Sequence, residues 1–241
     1  MCFSVNVNLV KEELEDRYGA TLIDREKYRP SYYYHAFALP EMPAICLADS
    51  KTINLLTWGL IPSWVKTPEE ANEIRQKTFN ARSESVAQKS AFSSAIKSKR
   101  CLVPVKGFYE WQHKGQRKIP WYVYHHNNEI LSIAGLHDEW IDNKSGQVFT
   151  TFSILTSDAN EMMAEIHNSA KRMPVVLEKS SEAAWLDPAA SEKAALSLLK
   201  PCASEYLKAH TIGPLVNNRN ADRNNPEVIR EYSYPAENLL F

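Results

Sequence analysis

Cys2 directly follows the initiator Met1, and its small side chain permits Met1 removal. Removal would place an α-amine and a thiol on one residue. Such a 1,2-aminothiol attacks an aldehyde through the amine to form an imine, and the thiol then closes a five-membered thiazolidine. An α-amine titrates near about 7.7–8.0, so an appreciable fraction is an unprotonated nucleophile at neutral pH. A terminal nucleophile of this kind follows the logic of covalent catalysis, in which a neighbouring base activates the attacking group. The alternative is a small apolar residue opening a strand, because free cysteine is usually buried and inert.

Other residues offer the partners such chemistry needs. Glu110 lies in G-F-Y-E-W, where aromatic neighbours would desolvate its carboxylate and raise its pKa toward neutrality. The competing reading is an edge-strand Glu facing water. Asn80 carries a neutral amide that can hold an amine or a sugar oxygen, or else cap a turn. Arg82, two residues on, would point the same way from a strand and could clamp a phosphate with its fork of donors. A surface salt bridge to Glu84 is its alternative. Trp64 and Pro62 could present a face for base stacking, whereas Trp58 suits a core. His167 follows a predicted helix and precedes the strand R-M-P-V-V-L; by pattern alone it is one histidine of seven and could be structural.

Five segments occur in a fixed order behind Met1-Cys2: W-G-L-I-P-S-W at 58–64, N-A-R-S-E at 80–84, R-C-L-V-P-V-K-G-F-Y-E-W at 100–111, H-N-S-A-K-R-M-P-V-V-L at 167–177 and V-N-N-R-N-A-D-R-N-N-P-E at 216–227. Together they resemble the SOS-response-associated peptidase (SRAP) family of abasic-site-processing proteins, from Cys2 to about Glu227. The resemblance implies capture of abasic sites in single-stranded DNA, the terminal cysteine forming a stable thiazolidine crosslink with the ring-opened deoxyribose. It also carries an older peptidase assignment, tied to removal of the residue before the cysteine. It implies catalytic roles for Cys2, Asn80, Glu110 and His167, and DNA contacts from Arg82, Arg172, Trp64 and Pro62. Glu110 would shuttle protons, and His167 would protonate the sugar oxygen.

Two departures stand out. The family usually has Met-Cys-Gly-Arg, but here Phe3 and Ser4 follow the cysteine. That change removes backbone freedom beside the nucleophile and a phosphate-contacting arginine. In addition, Asn168, Ser169, Ala170 and Lys171 separate His167 from Arg172, a longer spacing than the family's usual one or two residues. The residue types leave two rivals open. Cys2, His167 and Asn80 could form a Cys–His–Asn thiol peptidase, and the chain could be a non-catalytic single-strand-binding module.

Composition sets the frame. Hydrophobic residues make up 44% and charged residues 24% of 241, as in an ordinary globular chain. With no membrane-length apolar run and no signal-peptide pattern, the expected location is cytoplasmic, on the nucleoid when bound to DNA. Cys2, Cys46, Cys101 and Cys202 are widely spaced with no C-x-x-C pair, which argues against structural zinc and against a disulfide framework. No metal, no cofactor and a monomer are expected. The net charge of −1 requires any DNA site to be local. Arg82, Arg172, the K-S-K-R run at 97–100 and the K-G-Q-R-K run at 114–118 are the candidates for it, although the two runs read better as a solvated helix end and a hairpin turn.

The elements that would position these residues are mostly short strands. Phe3, Val5 and Val7 alternate with Ser4, Asn6 and Asn8 as a half-buried strand, and Asn8 is placed to cap a helix over 9–18 ended by Gly19. Strands are predicted at 32–38, 43–48, 52–58, 101–105, 107–112, 119–124, 130–136, 148–155, 172–177 and 206–212. Helices are predicted at 69–77, 84–98, 158–166, 179–186 and 189–199. Strands outnumber helices without alternating regularly. The expectation is one α+β domain over 1–241, built on a curved, mostly antiparallel, barrel-like sheet with peripheral helices.

Overall fold

The computed structural model describes residues 2–235. Its first half comprises β1 (Ser4–Val7), α1 (Lys11–Tyr18), β2 (Thr21–Leu22), β3 (Ser31–His35), β4 (Glu41–Cys46), β5 (Asp49–Trp58), α2 (Pro68–Arg75), β6 (Asn80–Arg82) and α3 (Ala95–Ser98). Four long strands follow: β7 (Arg100–Val105), β8 (Gly107–Lys114), β9 (Arg117–His125) and β10 (Leu131–Ile141). The remainder is β11 (Val148–Asp158), α4 (Glu161–Ile166), β12 (Arg172–Pro174), β13 (Val176–Leu177), α5 (Lys179–Trp185), α6 (Glu192–Ser197) and β14 (Leu207–Thr211).

Five of these strands close on themselves. The path β11-β10-β7-β4-β5 is antiparallel, and a parallel β5–β11 pairing joins its ends into a barrel. The fold is therefore α+β and barrel-like, with parallel pairing confined to the closure and to the short β2 and β6. Close packing inside needs a glycine at position 135, where a Cβ would lie 2.9 Å from Cys101 Sγ. Cys46, Cys101 and Trp58 are core residues, and Trp58 stacks on Phe152.

A second sheet, ordered β14-β9-β8-β1-β3, lies against the barrel and carries the N-terminal strand in its interior. Val5 and Phe108 face the main core, while Tyr109 and Tyr122 pack on the opposite face under Ile212, Val216 and Val228. All four residues of β1 are consequently buried, not half-buried as the alternation predicts. Ser4 and Asn6 are covered by the Tyr33 and Tyr122 side chains, in a tyrosine cluster packed under the C-terminal segment.

Other differences have local causes. Val10, not Asn8, sits at the N-terminus of α1, because the Asn8 N–H is bonded to Asn6 Oδ1 at 2.8 Å in a turn. Gly19 ends that helix in the left-handed conformation as predicted, with φ of 57°. Only 95–98 of the predicted 84–98 helix is α-helical. Six serines between 83 and 98 offer the backbone competing hydrogen bonds. The 97–100 run does end a helix, with Arg100 fully buried and donating to the carbonyls of Ile96, Lys97, Trp185 and Asp187. The 114–118 run forms the β8–β9 hairpin around Gly115, which has φ of 59°. Among the described residues no helix is long and apolar enough to cross a membrane.

Candidate active site

Cys2 stands just ahead of β1 and is fully buried. Its Sγ donates to Ser4 O at 3.6 Å. Burial, reinforced by the nearby Glu110 carboxylate, pushes the thiol pKa well up. The thiol therefore rests protonated.

Strand register brings Glu110 to it. Val5 lies opposite Phe108 and Asn6 opposite Gly107, so continuing the antiparallel pairing sets Phe3 across from Glu110. Glu110 is not on an edge: β8 lies between β1 and β9 and leaves the residue 3% exposed. Its Oε1 is buried with no hydrogen-bond partner among the described residues. Desolvation raises the carboxyl pKa from 4.5 to about 7.

His167 ends α4, with its Nδ1 2.8 Å from Arg172 O and 3.9 Å from Glu110 Oε1. A carbonyl can only accept, so Nδ1 carries the proton and Nε2 is the basic nitrogen of the neutral ring. Burial lowers the pKa of this imidazole. The longer four-residue spacer still leaves the ring beside Glu110. Asn168 clamps the loop to β8, donating through Nδ2 to His113 O at 2.8 Å and accepting from His113 N at 2.9 Å. Lys171 completes the turn in the left-handed region, with φ of 49°.

Asn80 opens β6, and both amide heteroatoms are buried without partners among the described residues. Phe79, just before it, meets the Phe3 ring edge-on at 6.3 Å and so ties β6 to the N-terminal segment. Unpaired buried amides and carboxylates cost about 1–3 kcal/mol each, and sites that retain them are candidates for ligand contact. Arg82 is exposed and has no ion pair among the described residues. Glu84, its expected alternative partner, is taken by Arg172.

Arg172 differs most from expectation. It is 6% exposed, and its guanidinium binds Glu84 at 2.7 and 3.0 Å, Asp158 at 3.0 Å, and Thr156 O and Oγ1 at 2.7 and 3.1 Å. Both terminal nitrogens are occupied and hold the Glu84 segment just after β6 against β11; Nε has no partner among the described residues but is buried. Trp64 is 54% exposed but Pro62 is buried beneath the surface, so only the tryptophan offers a face. That face lines a cavity of about 490 Å³ with Glu70, Glu73, Lys66 and Lys77.

A separate groove of about 340 Å³ opens over Glu110 and His167 and is also lined by Trp111, His113, Lys118 and Ser169. Of those four only Lys118 fell in a segment singled out from the sequence as a candidate DNA contact, the 114–118 run. A hairpin turning at Gly115 places Lys118 opposite His113, so the turn signal together with the position of Glu110 could have found both. The Phe3-Ser4 departure is also explained. Ser4 Oγ is buried, 3.0 Å from the Tyr33 hydroxyl and 3.4 Å from His35 Nδ1. Phe3 packs on Phe37, which is 54% exposed at the rim.

The buried carboxyl has a consequence for stability. A folded-state pKa above the usual value means that the native state holds this proton to higher pH than the unfolded chain. Stability present at low pH is then lost as pH rises from about 4.5 to about 7. The shift corresponds to about 3 kcal/mol. Glu110→Gln, neutral throughout, is expected to raise Tm by about 6–12 °C above pH 7 and to give no advantage near pH 4. Calorimetry at both values checks this, and an equal effect at both would contradict the buried-charge account.

A family profile described as SOS response associated peptidase (SRAP) matches residues 1–219. Abasic site processing protein YoqW of Bacillus subtilis is 33% identical over 208 residues, covering 86% of this chain and 88% of that protein. Abasic site processing protein HMCES of Xenopus tropicalis is 29% identical over 233 residues, covering 86% of this chain and 67% of its own. A crystal structure of a protein from Bacteroides thetaiotaomicron superposes with a TM-score of 0.90 at 35% identity, covering 96% of this chain and all of that one.

Proposed function

The chain belongs to the SOS response associated peptidase (SRAP) family, and from that premise we propose that it processes abasic sites in DNA by covalent capture. Removal of Met1 frees the Cys2 amine. The amine attacks the aldehyde of the ring-opened deoxyribose, loses water to give an imine, and the Cys2 thiol adds across that imine to close a thiazolidine. One observation carries the reading: the strand that follows Cys2 is paired with the strand bearing a buried carboxyl of pKa about 7.

A carboxyl half-protonated at neutral pH can both give and take a proton, as ring opening and dehydration each require. The lowered pKa of His167 alters the division expected from sequence, because little imidazolium is present near pH 7 to protonate the sugar oxygen. Glu110 is the better donor there, and His167 Nε2 the better acceptor from the anomeric hydroxyl. Asn80 supplies the neutral hydrogen bonds, and Arg82 a phosphate contact. Arg172 acts by holding β6 in place.

A thiol-peptidase reading is less well supported. Such enzymes need a thiolate, formed by lowering the cysteine pKa, whereas burial raises that of Cys2.

The test is incubation of the purified protein with a labelled single-stranded oligonucleotide carrying one abasic site, followed by a denaturing gel. A heat-stable adduct on abasic but not intact strands is expected. Binding to both strands alike with no adduct would leave only a binding module. In the same system Arg82→Ala should weaken binding and reduce the salt slope by about one, with the bound-state crosslinking rate unchanged. A rate loss at saturating protein would move Arg82 from the phosphate to the reacting sugar.

A further inference from the structure

A cavity of about 530 Å³ lies on the five-stranded sheet and shares no lining residue with the groove over Glu110 and His167. Its floor is one cross-strand row. Lys208 on β14 stands opposite Tyr124 on β9, Tyr124 opposite Gly107 on β8, and Gly107 opposite Asn6 on β1. Residues directly opposite one another in antiparallel strands share a face. The glycine leaves a gap in that row, and the Tyr122 side chain fills it, since a Cβ on Gly107 would fall 2.6 Å from the Tyr122 ring. Tyr122 and Tyr124 consequently stack at 5.5 Å with 13° between planes, and His210 meets Tyr124 edge-on at 5.5 Å.

The polar groups around these rings are mainly donors and cations. Asn6 Nδ2 donates to the Tyr122 hydroxyl at 3.0 Å, which leaves that O–H to be donated onward. Lys208 is exposed, with no ion pair among the described residues, and Lys106 lines the same cavity beside its partner Glu13 at 3.0 Å. Among the described residues no carboxylate lines the cavity. His210 Nε2 donates to Ile229 O at 2.7 Å, which fixes the ring against the 3-10 turn at 226–229.

We infer that this cavity is a second binding site and that it takes a nucleotide, with the base against Tyr124, whose ring is backed by the buried Tyr122, and the phosphate toward Lys208 and Lys106. An inorganic anion would use only the cations, and a neutral aromatic only the rings; a nucleotide uses both. The volume lies within the 300–1,000 Å³ (roughly) of small-molecule sites. The nucleotide can be free or part of a strand, since the recognised chemistry is the same. The site stands independently of the capture reaction at Cys2.

The experiment is calorimetric titration of the full chain with dAMP and, separately, with a short intact dA strand. Removing one stacking face or its cation is expected to weaken dAMP binding about fivefold or more, the low end of base–aromatic stacking. Tyr124→Leu and Lys208→Glu should each do so, while the exposed Lys193→Glu on α6 leaves binding unchanged. If Tyr124→Leu disturbs the sheet, Lys208→Glu still decides, because that side chain is exposed. Tighter binding of the strand than of dAMP assigns the site to DNA, and binding of dAMP alone assigns it to a free nucleotide; either supports the site. No heat at millimolar dAMP, or wild-type affinity in both variants, overturns it. Crosslinking of an abasic strand by the same variants at saturating protein should be unaffected, which separates failure of this site from failure at Cys2.

Discussion

Glu110→Ala is expected to slow adduct formation about 10²–10⁴-fold at saturating protein, the range typical for one general acid–base group. Binding to an uncleavable abasic analogue should remain nearly intact. The size of the effect follows from the residue's surroundings. Its carboxyl is enclosed between β1 and β9, has one oxygen without a partner among the described residues, and titrates near 7. Water is poorly placed to substitute for it. His167→Ala should also slow the chemical step, because it removes the basic Nε2 beside that carboxyl. Single-turnover crosslinking across pH is the measurement. Wild-type rates for both variants once saturated would make these residues structural and end the assignment.

Cys2→Ser should abolish the heat-stable adduct while retaining capture through the amine. Serine keeps the α-amine, so an imine still forms, and borohydride reduction should trap it in place. Without the thiol the imine hydrolyses on heating. A Cys2→Ser adduct as heat-stable as wild type would rule out the thiazolidine. A companion variant with one extra residue ahead of Cys2 moves the amine away from the thiol, and it should form no heat-stable adduct. A thiol peptidase would tolerate that extension, so the two experiments together separate the chemistries. The mature mass should correspond to a chain beginning at Cys2.

The parts of the fold readable from sequence are those set by neighbours along the chain. The turns at Gly115, Asn128 and Gly146 all have positive φ, which glycine and asparagine tolerate; the two glycines turn the β8–β9 and β10–β11 hairpins, and Asn128 turns the chain from one sheet to the other. The 84–98 segment misled because its apolar spacing suits a helix while its serines do not. What stayed hidden depends on distant pairing. The choice between a buried and a water-facing Glu110 could not be made from G-F-Y-E-W, because β1, more than one hundred residues earlier, is what covers one side of β8. Arg172 read as a free cation because its partner Glu84 is 88 residues away. The cross-strand row from Lys208 to Asn6 spans four strands and leaves no local sequence pattern.

The enclosure of Cys2 imposes an order in time on the making of an active molecule. The strand that follows it is seated only when β3 and β8 flank it, and β8 is not complete until residue 114 has been synthesised. At about 5–20 residues per second, the ribosome leaves the N-terminus uncovered for on the order of ten seconds. An aminopeptidase acting from outside has its access in that interval, while the nascent chain is still an open substrate. On the proposed capture reaction, the yield of competent protein would then depend on a race between trimming and folding.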